Sequence, residues 1–300
     1  MSGKAKLRGV VVPMVTPVTA TGELDEPAVD KLVDFLLAGG VDGIFVVGTT
    51  GEGASIPHES RRRLVKRTVA RVQRRALVYA GVGDTHPDAV VSGNEYLQAG
   101  ADVIVCRPPV SFPQEQLLPL YQSLLDGLNG PLVIYNIPMT TNVSIPLDVI
   151  ERFVGHPKLA GMKDSENNPQ RLEELLRRFG GRPDFSIFIG VGAFMAKGLK
   201  LGADGIVPSV GNLIPKVCCD MCAAARRKDW AGVDECATRM NSVAAVYQKG
   251  RMLGQSLAAL KAALYCCGLC TLNVLPPLHA ISETELATVR NQMAMLKLVP

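Results

Sequence analysis

"LAGMKDSE" (residues 159–166) is the stretch whose reading decides the fold: four apolar residues, Leu159 to Met162, run straight into Lys163. An apolar run this short, flanked by helix-like sequence, has the length of a buried parallel strand rather than of a helix. A lysine at the end of such a strand needs a reason, because a buried ammonium is costly unless it is paired or used. Side chains alternate along a strand. Leu159, Gly161 and Lys163 are therefore expected on one face and Ala160 and Met162 on the other, with Gly161 leaving room for an inward-pointing Lys163.

Outward from this stretch, seven more β-rich runs read as strands: 9–15, 43–48, 76–82, 102–106, 131–136, 186–190 and 205–209. Amphipathic segments at 26–39, 57–74, 86–99, 113–127, 146–154, 168–179, 193–201 and 213–226 lie between and after them. Alternation of this kind predicts an α/β chain with a parallel sheet, and eight units predict a closed (β/α)8 TIM barrel. An open doubly wound sheet would place a glycine-rich phosphate loop after its first strand, where this chain reads "TPVTATGEL"; the GxG in "GVGDTH" is explained equally well by a tight turn. After residue 226 the strands stop and three helices follow. The expected organisation is a catalytic barrel over 1–226 and a C-terminal helical extension over 227–300, too small and apolar to stand alone.

The composition fits an ordinary globular protein: of 300 residues, 47% are hydrophobic and 20% charged. The early apolar run "VVVPMV" (10–15) is too short to span a bilayer or to form a signal-peptide core, so no membrane association and a cytoplasmic location are expected. The net charge of +4 is concentrated in "RRRLVKRTVARVQRR" (61–75), where an apolar stripe opposes the cations. That pattern reads as a solvated outer helix, and no nucleic-acid motif accompanies it. Two CxxC spacings, in "CCDMC" (218–222) and "CCGLC" (266–270), match zinc-ligand spacing but sit in helix-like apolar sequence, so buried thiols are expected, with no metal and no disulfide.

Barrel chemistry gathers at the C-terminal ends of the strands. There the sequence places Thr49 and Thr50 in "GTTGE" after strand two, Tyr135 and Asn136 on strand five, Lys163 on strand six and Gly190 on strand seven. Burial favours the neutral form of an amine, and a neutral amine can condense with a ketone to a Schiff base. Two hydroxyls on a glycine-flanked turn suit a carboxylate, and a phenol can move a proton. Alone, Lys163 is as well explained by pairing with Asp164 or Glu166, "GTTGE" by a helix entry and Tyr135 by packing. Together they suit a 2-oxo acid.

In order, "TPVTATGELD", "GTTGE", "YNIP", "GMKDSE" and "GADGIVPSVGN" resemble the dihydrodipicolinate synthase/N-acetylneuraminate lyase family of pyruvate-dependent class I aldolases, over almost the whole chain. The resemblance implies a Schiff base between Lys163 and pyruvate, Tyr135 as proton shuttle, Thr49 and Thr50 on the pyruvate carboxylate, and Gly190 and Val207 lining the pocket. It also implies a homotetramer built as a dimer of dimers and no metal or other cofactor beyond the covalent intermediate. Two departures count against dihydrodipicolinate synthesis. Thr140 stands where synthases carry an arginine, and Pro109 where they carry a second tyrosine. Val191 to Phe194, after Gly190, lack the acidic residues with which sialic-acid lyases bind sugar hydroxyls, which counts against a polyhydroxylated substrate. Cleavage or formation of a small 2-oxo acid of the 4-hydroxy-2-oxoglutarate or 2-keto-3-deoxy-acid type ranks first, with Arg107 expected to meet a distal carboxylate. Dihydrodipicolinate synthesis ranks second, N-acetylneuraminate cleavage third, and a barrel that binds a 2-oxo acid without turnover is the non-enzyme alternative.

Overall fold

A computed structural model describes residues 6–83 and 86–299; Asp84 and Thr85 of the "GVGDTH" turn lie outside the described residues. The apolar runs become β1 (Gly9–Pro13), β2 (Gly43–Val46), β3 (Leu77–Val82), β4 (Val103–Cys106), β5 (Leu132–Asn136), β6 (Leu159–Asp164), β7 (Ser186–Ile189) and β8 (Gly205–Ile206). Each pairs in parallel with the next, and β1 pairs with β8 through Gly9↔Gly205 and Val10↔Ile206, closing the barrel. The helices are α1 (Glu26–Ala38), α2 (His58–Val72), α3 (His86–Gln98), α4 (Leu117–Gly127), α5 (Pro138–Thr141), α6 (Leu147–Phe153), α7 (Pro169–Phe179), α8 (Met195–Lys200), α9 (Pro215–Arg226), α10 (Trp230–Gln248), α11 (Leu253–Cys266) and α12 (Glu283–Met295). The chain is thus the expected (β/α)8 TIM barrel, followed by helices α10–α12.

Alternation along the strands divides the apolar residues into two cores. Val11, Phe45, Tyr79, Val103, Val105, Val133, Tyr135 and Phe188 fill the barrel interior, while Val12, Ile44, Val78, Ile104, Ile134, Met162 and Ile187 face the helices. Two T-shaped ring pairs, Tyr79–Phe188 and Phe45–Tyr135, each 6.4 Å between centroids, stack inside. At the N-terminal face a repeated device holds the strands in register. Asp42, Asp102 and Asp204, each just before its strand, accept the backbone N–H of Val10, Val78 and Ile187 on the preceding strand.

Three local expectations change. On β6 the alternation breaks: Leu159 joins the outer core and Ala160 the inner one, so Leu159 does not share the face of Lys163. The β5–β6 register shifts between Leu132 and Val133, and a Cβ on Gly161 would collide with the carbonyl oxygen of Ser186 on β7. Gly161 is therefore required by the close approach of the neighbouring strand. Strand β8 ends at Ile206, because Pro208 cannot donate to a ladder and residues 209–212 turn into a 3-10 helix. The "IPMTTN" loop contains α5, a single turn begun by Pro138 and ended by Asn142 at φ 56°.

The cations of α2 are matched by α1: Arg63 pairs with Glu26, Arg67 with Glu26 and Asp30, and Arg71 with Asp34. These exposed pairs add little stability each, but they balance the basic stripe. Burial pushes the Cys222 and Cys270 thiols up to about 12 and Cys219 and Cys267 to about 11. Among the described residues no group of three His, Cys, Asp or Glu is arranged to hold a metal ion. No described helix is long and apolar enough to cross a membrane.

Candidate active site

Lys163 is the penultimate residue of β6, between Tyr135 on β5 and Phe188 on β7, its register partners. It is only 6% exposed. Its Nζ lies 3.9 Å from the Tyr135 ring centroid and 5.0 Å from that of Phe45. No carboxylate among the described residues lies within ion-pair reach of it. The two acids that follow it are engaged elsewhere. Asp164 accepts from Arg171 Nε (2.8 Å), Asn136 Nδ2 (3.1 Å) and the Glu166 N–H (2.9 Å). Glu166 accepts from Ser144 Oγ (2.6 Å) and Asn136 Nδ2 (3.0 Å). Burial pushes the Asp164 carboxyl up, opposed by Arg171 and those hydrogen bonds. Pairing with Asp164 or Glu166 therefore does not explain Lys163.

The amine opens into a cavity of about 760 Å³ at the C-terminal mouth of the barrel, lined also by Thr49, Thr50, Tyr135, Gly190 and Val207. Five of the expected site residues and Lys163 thus come together. Thr49 and Thr50 sit on a turn closed by Gly51 N–H to Gly48 O (3.1 Å), Glu52 N–H to Thr49 O (3.1 Å) and Gly53 N–H to Gly48 O (3.0 Å). A Cβ on Gly51 would lie 2.7 Å from Met14 O, and one on Gly53 would strike Val47 O, so the turn needs both glycines. Gly190 faces Lys163 as closely: a Cβ there would strike Ser165 Oγ and lie 3.2 Å from Lys163 Cε.

Arg107 and Thr140 are not among the residues that line this cavity. They line a second one of about 340 Å³, across Thr49 and Tyr135, which both cavities share. Arg107 therefore adjoins the Lys163 cavity through Thr49 and Tyr135 rather than lining it.

Sequence reading gave no role to three contributors. Helix α10, read only as packing, walls the cavity with Met240, Asn241, Ala244, Tyr247 and Gln248. The Tyr247 hydroxyl shares a 2.8 Å hydrogen bond with Ser209 Oγ and receives one from Gln248. Buried Asn212 ties the start and end of the barrel, donating to Pro13 O and Ser209 O (both 2.9 Å) and accepting from the Val15 N–H (3.1 Å). Asn136 joins the Asp164–Glu166 cluster to the Ile145 N–H (3.0 Å). A lone polar residue in an apolar run was the available signal for Asn136 and Asn212; none marked the face of α10.

Residues 6–296 match the model of the dihydrodipicolinate synthetase family. The chain is 27% identical to the putative 2-dehydro-3-deoxy-D-gluconate aldolase YagE of Escherichia coli K12, over 99% of this chain and all of that one. The structure of YagE in complex with pyruvate covers 97% of this chain and 99% of its own with a TM-score of 0.91. Dihydrodipicolinate synthase from Bacteroides thetaiotaomicron is 30% identical and covers 97% of this chain and 99% of its own with a TM-score of 0.92. A closed barrel with a lysine at the mouth of β6, matched by this family's model from residue 6 to residue 296, makes the chain a member of the dihydrodipicolinate synthetase family, whose members are lyases and aldolases.

Proposed function

We propose that the protein is a Schiff-base aldolase that cleaves or forms a 2-keto-3-deoxy acid. The observation that carries this reading is the Lys163 amine, buried on two aromatic faces with no carboxylate to hold it as a structural ammonium. In the cleavage direction its lone pair attacks the 2-oxo carbon, water leaves, and an iminium forms. Tyr135 accepts the proton of the C4 hydroxyl as the C3–C4 bond breaks and passes its own phenolic proton to the substrate carboxylate, from which the relay later returns a proton to C3. The bonding electrons pass into the iminium, an aldehyde departs, and the resulting enamine is protonated at C3 before water releases pyruvate and Lys163. Thr49 and Thr50 hold the pyruvate carboxylate from their turn, and the missing side chain of Gly190 admits the substrate beside Lys163.

Of the two substrate types, the lining favours the polyhydroxylated one, against the expectation from Val191 to Phe194. Lys163 is the sole charged side chain lining its cavity among the described residues, whereas Ser165, Asn167, Ser209, Asn241 and Gln248 offer neutral donors and acceptors. A second carboxylate of a 4-hydroxy-2-oxoglutarate would meet no cation on that lining, Arg107 lining the adjoining cavity instead. Steady-state cleavage assays are expected to give 2-keto-3-deoxygluconate a kcat/KM at least about 100-fold above that of 4-hydroxy-2-oxoglutarate. The reverse order, or faster condensation of pyruvate with aspartate semialdehyde, overturns the assignment. Dihydrodipicolinate synthesis stays second because Thr140 and Pro109 replace the arginine and tyrosine it uses, and catalytic turnover with any of these substrates separates both from a binding-only barrel. Gly190→Ala is expected to lower kcat/KM about 10- to 100-fold, read in the same assay, because the added methyl displaces Ser165 and the Lys163 stem. A homotetrameric assembly, a cytoplasmic location and the division into a catalytic barrel and an extension at 226/227 belong to the same proposal. The first rests on family resemblance.

A further inference from the structure

Two side chains outside the Lys163 cavity form a buried ion pair that the reaction does not use. Glu52, the acid of "GTTGE", reaches Lys261 on α11 with Oε1 to Nζ at 2.5 Å, and each side chain is 1% exposed. The other Glu52 oxygen accepts from the Leu275 N–H (2.6 Å), and Lys261 Nζ also donates to Asn273 O (2.8 Å). The segment carrying Asn273 is itself fastened to the β1–α1 loop, where Thr271 Oγ1 (2.7 Å) and Asn273 Nδ2 (3.3 Å) donate to Val18 O.

Stability alone gives a weak account of this arrangement, since apolar residues of similar volume usually serve a core at least as well as a buried ion pair. Its location gives a better one. The turn that carries Thr49 and Thr50 is bracketed by Val47 at φ 58° and Glu52 at φ 57°. Both lie in the left-handed region, which non-glycine residues, and β-branched valine above all, avoid unless the surroundings hold them there. Every polar atom of the Glu52 carboxylate is fixed by the C-terminal extension, two residues from Thr50.

We propose that Glu52 and Lys261 are positioning residues: the C-terminal extension, through this pair, holds the threonine turn in the geometry that receives the substrate carboxylate. The inference rests on the assignment of Thr49 and Thr50 as the carboxylate cradle. It makes the extension part of the substrate-binding machinery, although neither Glu52 nor Lys261 lines the cavity at Lys163.

The test is borohydride trapping of pyruvate on the full chain, with the half-saturating pyruvate concentration and the trapping rate at saturation measured separately. Wild type, Lys261→Met, Thr50→Val and the double variant are compared below the unfolding temperature of each. Lys261→Met is expected to raise half-saturation at least about 10-fold while lowering the saturated rate less than about 3-fold. Because both substitutions act on one contact, the double variant is expected to stay within about 3-fold of Thr50→Val alone. Should Lys261→Met fail to fold, Glu52→Gln, which keeps an acceptor for the Leu275 N–H, carries the same expectations. A folded variant with wild-type half-saturation, or additive effects in the double variant, overturns the positioning role while leaving the Schiff-base assignment intact. No adduct on wild type overturns that assignment and this inference with it.

Discussion

Lys163→Met is expected to abolish turnover, lowering kcat by at least about 10⁴-fold, roughly 5 kcal/mol of barrier, without lowering Tm. Methionine matches the lysine stem in length and can occupy the same space between the Phe45 and Tyr135 rings. What it removes is the nucleophile, and with it the iminium that accepts electrons when the C3–C4 bond breaks. A structural lysine would behave in the opposite way. Removing one member of a buried ion pair strands its partner and costs stability, but the carboxylates nearest in sequence are already satisfied by Arg171, Asn136 and Ser144. Cleavage assays beside a thermal melt read both halves of the prediction. Residual activity above about 1% at wild-type Tm would mean that the bond is broken without an amine nucleophile.

Tyr135→Phe is expected to lower kcat about 10²- to 10³-fold while pyruvate still forms its adduct on Lys163. Phenylalanine keeps the edge-on contact with Phe45 and the ring against the Lys163 Nζ, so the amine stays in place. Only the phenol is lost, and with it the group assigned to move the proton at the C4 hydroxyl. The other phenol on the cavity wall, Tyr247, is bound to Ser209, and burial pushes it well above the usual tyrosine range. It is therefore a poor substitute for a proton shuttle near neutral pH. Steady-state kinetics run beside trapping separate the steps: kcat falls, while half-saturation by pyruvate in trapping changes by less than about threefold. An equal loss of adduct formation would show that Tyr135 is needed to build the Schiff base rather than to use it.

What the sequence made legible follows from local periodicity. Short apolar runs separated by amphipathic segments are visible in any window, so all eight strands, the barrel and the helices after it could be read directly. Lys163, Tyr135 and the Thr49–Thr50 turn were legible because strand ends have a defined role in this fold. The misreadings arise where geometry depends on residues far apart in the chain. Strict alternation put Leu159 on the face of Lys163, but the β5–β6 pairing carries an irregularity, between Leu132 and Val133, that no window on β6 alone reveals. Arg107 stands at the end of its strand as expected, and it lines a cavity that adjoins that of Lys163 through Tyr135 and Thr49. Helix α10 carries a weakly amphipathic sequence, so nothing local announces that Asn241 and Gln248 line the Lys163 cavity. The Glu52–Lys261 pair joins residues more than 200 positions apart, beyond the reach of any periodicity.

The most direct test of the central claim is intact-protein mass after borohydride treatment with pyruvate, run on wild type and on Lys163→Met. The account predicts, on wild type alone, one adduct heavier by the mass of pyruvic acid less an oxygen atom, mapped by peptide digestion to Lys163. An adduct of that mass on folded Lys163→Met, or none on folded wild type, would contradict it.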